Sequence, residues 1–539
     1  MDIKMTPEGI WNEYQSLTEY LTEHDVYNVV KKNEKFYDGR QWDGAKADNI
    51  AKPTMNRLQR IGKYQIASLS SNDVGIAITP LMGGEEDKRR MKIIADEVKN
   101  IIEQAKIKEQ ARLMIRNAFV DGASYSLQSF DPDYETGQDS KGKIDSQLID
   151  MTNVYFGNPY TNVLQKQPYI IIALRQFVGQ VKEEAKDLGV KNIDDITPDT
   201  DDNYDEDSDG KLCTVLLKFW KQKKKQTETK VIIDDVSGEE IIVEEEKEIK
   251  TVHFCKCTKA VMLVEDTDLG YTRYPLSRFG WEPRRNSYLY ESPMTSNIVN
   301  QVFINKCYAY AHEYALKSAM PKIIYDEGKM DIDDFLEGSA IGVPGIDLLG
   351  KYLDFAKMPD FSNQIIQLID QTGAEMEKNM GVNDAALGNV RPDNSSAIIA
   401  LQEAAAVPLE IQRQNFYEMW EDTVRNLIDI MTCSYGVRML MDNETGEPVM
   451  VDFNKLRGIN YQLNIDVGSS AQYSEIAQMN TLNSLLQNGM IDLDTFLEVC
   501  PDKYIPQKET IKRFNEEKQQ QAEQMAAMQG ANVPMGVTQ

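Results

Sequence analysis

Three stretches of this chain place residue types at spacings that could do chemistry. Gly345-Ile-Asp-Leu-Leu-Gly350-Lys351-Tyr352 approaches a phosphate-binding loop. Such a loop needs backbone N–H groups and a lysine around the phosphates, then a Ser or Thr hydroxyl for magnesium. Tyr352 stands at the hydroxyl position, and Asp347 brings a negative charge into the cradle. The stretch therefore reads as a turn between short structures. Asp205-Glu-Asp207-Ser-Asp209-Gly210 matches the start of a calcium loop, but Leu216 stands where the closing glutamate belongs. An acidic solvated loop is the plainer reading. His253-Phe-Cys255-Lys-Cys257 puts three soft ligands on one side of a strand. Structural zinc takes four, and no nearby Cys or His supplies the fourth, so buried thiols are expected.

Acid–base or nucleophilic catalysis finds no better support. The three histidines, His24, His253 and His312, fall in three different regions. A GxSxG elbow and an HExxH helix are both absent. With 86 acidic residues, any Asp/Glu pair is uninformative. The reading is a protein that is not an enzyme, with no cofactor and no metal site.

Charge narrows the partners. The chain of 539 residues has 59 basic and 86 acidic residues, a net charge of −27. Phosphate binding runs on Lys and Arg, so such a surface does not grip nucleic acid broadly. Contact with DNA would be local, or would pass without holding. No segment approaches the ~20 apolar residues of a membrane span, and Met1-Asp2-Ile3-Lys4 does not open a signal peptide. The six scattered cysteines suit reduced thiols in a cytosolic setting. A chain of this length exceeds a single core, which stops growing near ~250–300 residues.

The elements that would position any site emerge from periodicity. Thr6-Pro7 marks a helix start, with Ile10, Tyr14, Leu17 and Leu21 at helical spacing. A second helix carries Val26, Val30 and Tyr37 and stops at Gly39. Residues 54–70 and 86–119 also read as helices, the latter with a stripe of Met91, Ile94, Val98, Ile101, Ile102 and Ala105. The middle turns β-rich and antiparallel: Tyr169–Phe177, Val215–Trp220, Lys230–Ile233, Glu240–Val243 and Thr251–Val264, with Asp194–Gly210 as a solvated acidic loop. Residues 294–319 form a long helix ending at Pro321, 321–358 are short and irregular, and 360–380 form another helix. A helix from Ser396 to Tyr435 is expected to kink at Pro408. Strands Pro448–Phe453 and Tyr461–Val467 precede helices from Ser474 and a frayed tail after Glu516. No internal repeat is visible.

The order of motifs along these elements resembles that of tailed-bacteriophage portal (head-to-tail connector) proteins, those of short-tailed phages in particular. The motifs are Phe36-Tyr37-Asp-Gly39-Arg-Gln41-Trp42, Tyr274-Pro275 with Phe279 and Trp281, Ser292-Pro293, Asn300-Gln301 with Asn305, Ala319-Met320-Pro321, Asn389-Val-Arg391-Pro-Asp-Asn394-Ser395, and Asn464-Ile-Asp466-Val-Gly468. Each is degenerate alone, and their order over roughly residues 10–500 carries the specificity. The long C-terminal barrel of the largest portals is missing.

The resemblance implies an α+β, mainly helical portal fold that assembles into a dodecameric ring around a central channel. It implies a wing (1–290), a first stem helix (291–320), a clip (321–358), a second stem helix (359–381), a tunnel loop (382–394), a wing return (395–470), and a crown with tail (471–539). Its implied partners are further copies of itself, the major capsid protein and any scaffold, terminase during packaging, a tail adaptor afterwards, and double-stranded DNA in the channel, with no membrane. Its implied place is the capsid portal vertex, after assembly in the host cytoplasm. Arg391 and Asn389 would face the channel, and Gly338, Gly342, Pro344, Gly345 and Lys351 would lie in the docking clip. The residues themselves add one point. Gln364, Gln367, Gln371, Glu375 and Lys378 recur on one side of helix 360–380, with Ile365, Ile369, Thr372 and Met376 opposite. A nearly neutral polar stripe would let DNA pass without stalling it. An ordinary surface helix shows the same pattern. The remaining alternatives are another head–tail adaptor or structural virion protein, and an ATP-driven motor, which the broken phosphate loop disfavours.

Overall fold

The computed structural model describes residues 5–46, 51–70, 74–80, 85–198, 211–233, 240–325, 340–343, 353–355, 363–382, 407–442, 446–456, 461–467, 482–492, 495–497 and 500. The chain divides into two compact units, Met1–Ile465 and Asp466–Gln539. Among the described residues helix is the larger share and strand the smaller.

The first unit opens with α1 (Pro7–Glu23), capped by Thr6, whose hydroxyl accepts the Gly9 N–H at 3.2 Å. Then come α2 (Val26–Tyr37) and α3 (Arg57–Ser70). Strand β1 (Val74–Pro80) comes next, a short element that hydrophobic periodicity does not reveal. The segment expected as one helix over 86–119 is two, α4 (Glu85–Gln104) and α5 (Ile107–Asp121). Lys106 breaks it with φ 52°, in the left-handed region. No Gly or Pro announces the break. Gln110 makes it tolerable by donating its side-chain amide to the Ala105 carbonyl at 3.2 Å. The apolar stripe itself is as expected: Met91, Ile94, Val98, Ile101 and Ile102 are buried.

Two antiparallel sheets then form the middle of the unit. In the first, β2 (Ala123–Asp131) lies between β3 (Lys143–Asp150) and β9 (Leu276–Gly280). The second has the order β4 (Val154–Phe156), β5 (Tyr169–Phe177), β6 (Leu212–Ile233), β7 (Glu240–Cys257), β8 (Met262–Asp268). Helix α6 (Val178–Asp187) comes directly after β5. The stretches read as separate strands at 215–220 and 230–233 are one strand, β6. The stretch at 251–264 is instead split by a turn in which Thr258 N–H donates to the Val261 carbonyl. Most of the acidic stretch 194–210 lies outside the described residues. A small pair, β10 (Glu282–Pro283) and β11 (Tyr290–Glu291), leads to α7 (Pro293–Ala319).

Within 321–358 the described residues form a small sheet, which their Gly/Pro content does not suggest. Strand β12 (Ile323–Tyr325) sits between β13 (Ala340–Gly342), which is parallel to it, and β14 (Leu353–Phe355), which is antiparallel. Helix α8 (Asn363–Asn379) comes after them in the chain. Pro408 marks a break from α-helical geometry. It lies in a 3-10 turn, Val407–Leu409, and α9 (Glu410–Ser434) begins after it. A ring without an N–H suits a first turn better than a helix interior. Residues 396–406 lie outside the described residues. The chain closes the unit with β15 (Val437–Met441), β16 (Pro448–Asp452) and β17 (Tyr461–Val467), which pairs with β1.

One apolar core runs from Ile10 to Phe453 and joins the N-terminal helices, both sheets and α9. At its centre Phe279 and Trp281 meet Phe119 and Phe416 edge to face. In the second unit, residues 482–487 and 495–497 are helical, and Phe496, Leu497 and Cys500 are buried. The tail after Glu516 lies outside the described residues.

Candidate functional site

Of the three chemical near-matches, only His253-Phe-Cys255-Lys-Cys257 falls within the described residues. Residues 345–352 and 205–210 lie outside the described residues. Each leads into a strand, with Leu353 in β14 and Leu216 fully buried in β6. Cys255 and Cys257 are buried thiols, pushed up to about 12 mainly by that burial. His253 turns to carboxylates instead, with Nδ1 2.6 Å from Asp266 Oδ1. Among the described residues no three His, Cys, Asp or Glu side chains could hold a metal. His24, His253 and His312 sit on separate elements, and among the described residues no helix is long and apolar enough to cross a membrane.

What the fold does bring together is a polar joint at the root of α7. Ser292 caps this helix, accepting the Met294 N–H at 3.1 Å while its own hydroxyl donates to the Phe119 carbonyl at 2.6 Å. Pro293 takes the first helical position, where the missing N–H costs nothing. Asn297, Gln301 and Asn305 then recur every fourth residue and are all buried. Gln301 Oε1 accepts the N–H groups of Arg57 and Leu58 at 3.1 and 3.4 Å, which have no acceptor inside α3. Gln301 Nε2 donates to the Met55 carbonyl at 2.7 Å and to Asn305 Oδ1 at 3.0 Å. Asn305 Nδ2 donates to Gln41 Oε1, and Gln41 Nε2 donates to the Phe36 carbonyl at 2.9 Å. The buried amides of Gln301, Asn305 and Gln41 thus satisfy one another, and the net ties α2, α3 and α7 in one register. Two motifs far apart in the sequence, around Gln41 and around Gln301, therefore meet in space.

From that joint α7 runs outward beside α8. Ile304, Cys307 and Ile369 form a small core between them, flanked by Tyr308 and Ile365. Arg57 bridges the joint to α8, 3.8 Å from Asp370 and 3.9 Å from Glu377. Its guanidinium lies where a Cβ at Gly373 would fall, so this glycine opens the seat. Helix α8 ends in a Schellman motif, with Val382 N–H donating to Glu377 and Gly381 N–H to Lys378. Gly381 has φ +72°, which only glycine adopts freely.

The two faces of α8 fall as the spacing predicts. Gln364, Gln367, Gln371, Glu375 and Lys378 are exposed, Ile369 and Met376 are buried, and Ile365 and Thr372 are half-buried. Glu375 and Lys378 pair at 3.1 Å, so the stripe is close to neutral. The spacing does not anticipate that Ile366 and Leu368 are also exposed.

Compared with known families, residues 15–536 match the family model of the phage P22-like portal proteins. The chain belongs to this portal family. No curated protein matches it. As a phage portal protein it is a component of the head-to-tail connection in genome packaging, and its family is a structural one. Of the portal residues expected at the sites, the α8 stripe and Gly342 on β13 are described. Asn389, Arg391, Gly338, Pro344, Gly345 and Lys351 lie outside the described residues. The residues that sequence reasoning underrates are the amides of the joint. Their signal is Asn and Gln at intervals of four along one helix.

Proposed function

We propose that this portal protein works as a dodecameric ring at the capsid vertex, with α7 and α8 as its stem. The observation that supports this most is apolar exposure on the helix pair. Val299, Tyr310, Leu316 and Met320 on α7 are 72%, 59%, 56% and 82% exposed, and Ile366 and Leu368 on α8 are 49% and 45% exposed. Large side chains gathered on one helix pair mark a surface that another molecule covers. In a ring, that molecule is the next copy. On this reading residues 1–290 and 395–470 form the wing, 291–320 and 359–381 the stem, 321–358 the clip, 382–394 the tunnel loop and 471–539 the crown and tail.

The stripe from Gln364 to Lys378 then faces passing DNA. Amides and one neutral ion pair offer no row of cations for phosphates to bind, so the duplex slides. The clip has the strands for a docking surface but little core. Ile323, Ile324 and Tyr325 are only half-buried and Phe355 is 56% exposed. It takes support from neighbouring clips and presents Gly342 and its flanking loops to terminase, then to a tail adaptor. The wing rim meets the capsid protein and any scaffold, and assembly takes place in the host cytoplasm.

The test is sedimentation and negative-stain imaging of the purified chain. Particles far larger than 61.4 kDa with a central hole are expected. A Val299→Asp, Leu316→Asp double variant should stay folded and lose the rings. A wild-type chain that remains monomeric at its highest soluble concentration overturns the reading.

A further inference from the structure

The longest strands of the protein leave their sheet. β6 pairs with β5 only as far as Trp220, opposite Tyr169, and β7 pairs with β8 only from His253, opposite Asp268. Beyond these points, Lys221–Ile233 and Glu240–Val252 pair with each other and, among the described residues, with no other strand. At ~3.3 Å per residue this two-stranded ribbon extends ~40 Å. A ribbon of two strands is marginal on its own in water, and among the described residues no further strand pairs with either outer edge beyond Val252, whose N–H and C=O bond to Tyr271 and Leu269.

The two edges differ in charge. The outer half of β6 holds five lysines, Lys221, Lys223, Lys224, Lys225 and Lys230, against Glu228 alone. The outer half of β7 holds five glutamates, Glu240, Glu244, Glu245, Glu246 and Glu248, against Lys247 and Lys250. Because the sheet order is β5-β6-β7-β8, the basic strand borders one side of the ribbon and the acidic strand the other. Within the ribbon the charges meet in pairs such as Lys223–Glu248 at 2.8 Å, where both side chains are well exposed and screened. Internal pairing of this kind adds little, so the ribbon gains most from a third strand on either edge.

We propose that the ribbons of adjacent subunits pair edge to edge, the basic outer half of β6 against the acidic outer half of the neighbour's β7. The occupant of each open edge is a second copy of this chain. A basic edge and an acidic edge on opposite sides make a head-to-tail contact, which repeats from copy to copy and ends only when a ring closes. Lysines on an edge usually discourage pairing by repelling their own kind. Here the acidic edge turns that repulsion into selection for one direction. The proposal rests on the ring proposed above.

Two charge-reversed chains test it. One carries Lys223→Glu, Lys224→Glu and Lys225→Glu, and the other carries Glu244→Lys, Glu245→Lys and Glu246→Lys. Each alone presents like charges at every ribbon contact. In a mixture, alternating copies restore opposite charges at all of them. At low salt each variant alone should lose the rings that wild type forms at the same concentration, and the equimolar mixture should recover them. If each variant assembles alone as wild type does, the ribbon edges carry no contact, and the ring stands without them. If the mixture does not recover, the substitutions act inside the ribbon and the edge pairing is wrong. If wild type itself forms no ring, the reading of the whole molecule fails first.

Discussion

Gly381 and Pro408 touch at the two ends of the segment between α8 and α9. A Cβ placed on Gly381 would come within 2.8 Å of the Pro408 Cβ. The chain therefore leaves α8 and returns to α9 at nearly the same point, and Val382, buried at the exit, pins it. Gly381→Ala meets two obstacles, a left-handed φ and the proline ring. We expect a loss of ~1–3 kcal/mol in unfolding free energy, read from the denaturant midpoint. The double variant Gly381→Ala, Pro408→Ala should recover part of it by removing the clash. No recovery would mean that backbone conformation alone sets the cost.

Gln301 is the central amide at the root of α7. Gln301→Met keeps its shape but leaves the buried Leu58 N–H without its acceptor, while the Arg57 N–H keeps the Met55 carbonyl at 2.8 Å. An orphaned buried group costs ~1–3 kcal/mol, and a loss of that order is expected. Amide exchange should report where: protection at the first turn of α3 should fall more than in β2 or β5. Equal loss everywhere would make Gln301 a packing residue only.

Much of this arrangement is legible in the sequence, and the parts that are not share a cause. Helices with a polar and an apolar side, such as α1 and α8, announce themselves, because burial on one side imposes a period of 3.6. The start of α7 is equally plain in Ser292-Pro293. The break at Lys106 is not, since its left-handed backbone is held by Gln110 and not by a glycine. Strands β2 and β3 are hidden for a related reason. Ser124, Ser126, Gln128 and Ser146 are buried polar residues, and the hydroxyls and amides of the last three satisfy one another, so the apolar alternation is lost. The α8 stripe is readable as a pattern. Its joint with Arg57 and Gly373 is not, because residues more than 300 apart in the chain form it.

Asp121 ends α5 half-buried, with a carboxylate Oδ1 shielded from solvent and without a hydrogen-bond partner. Burial, then the charges of Glu34 and Asp150, push it up to about 7, against the pull of Arg116. A carboxyl raised in the folded state binds its proton more tightly there than in the unfolded chain. Its native-state penalty therefore grows as pH rises from the unfolded value of 3.8 to about 7, and is constant above. Asp121→Asn should stabilise the protein more at pH 8 than at pH 5, by ~1–3 kcal/mol between the two. Unfolding curves at both pH values decide it. A difference that does not change with pH would show that Asp121 is ionised across this range.

Arg391 carries the sharpest expectation for the channel. Between Val382 and Asn394 it is the one basic residue, against Asp384 and Asp393. With −27 per chain, a ring holds a strongly negative field, and a cation at a constriction would be its exception. Such a ring should bind duplex DNA weakly and with a shallow salt slope, since few counterions are released. In the proposed tunnel loop, a single arginine per subunit can touch a phosphate and let it go without reading sequence. An ion pair with Asp384 or Asp393 is the competing role, worth ~0–1 kcal/mol if exposed. The two part under substitution. Arg391→Ala should leave rings intact and lower the length of DNA packaged or retained, and Arg391→Lys should largely restore it, because a phosphate contact needs charge more than a planar fork. Loss of rings in Arg391→Ala would make the residue a subunit contact. Normal packaging in Arg391→Ala would remove this side chain from the path of the DNA.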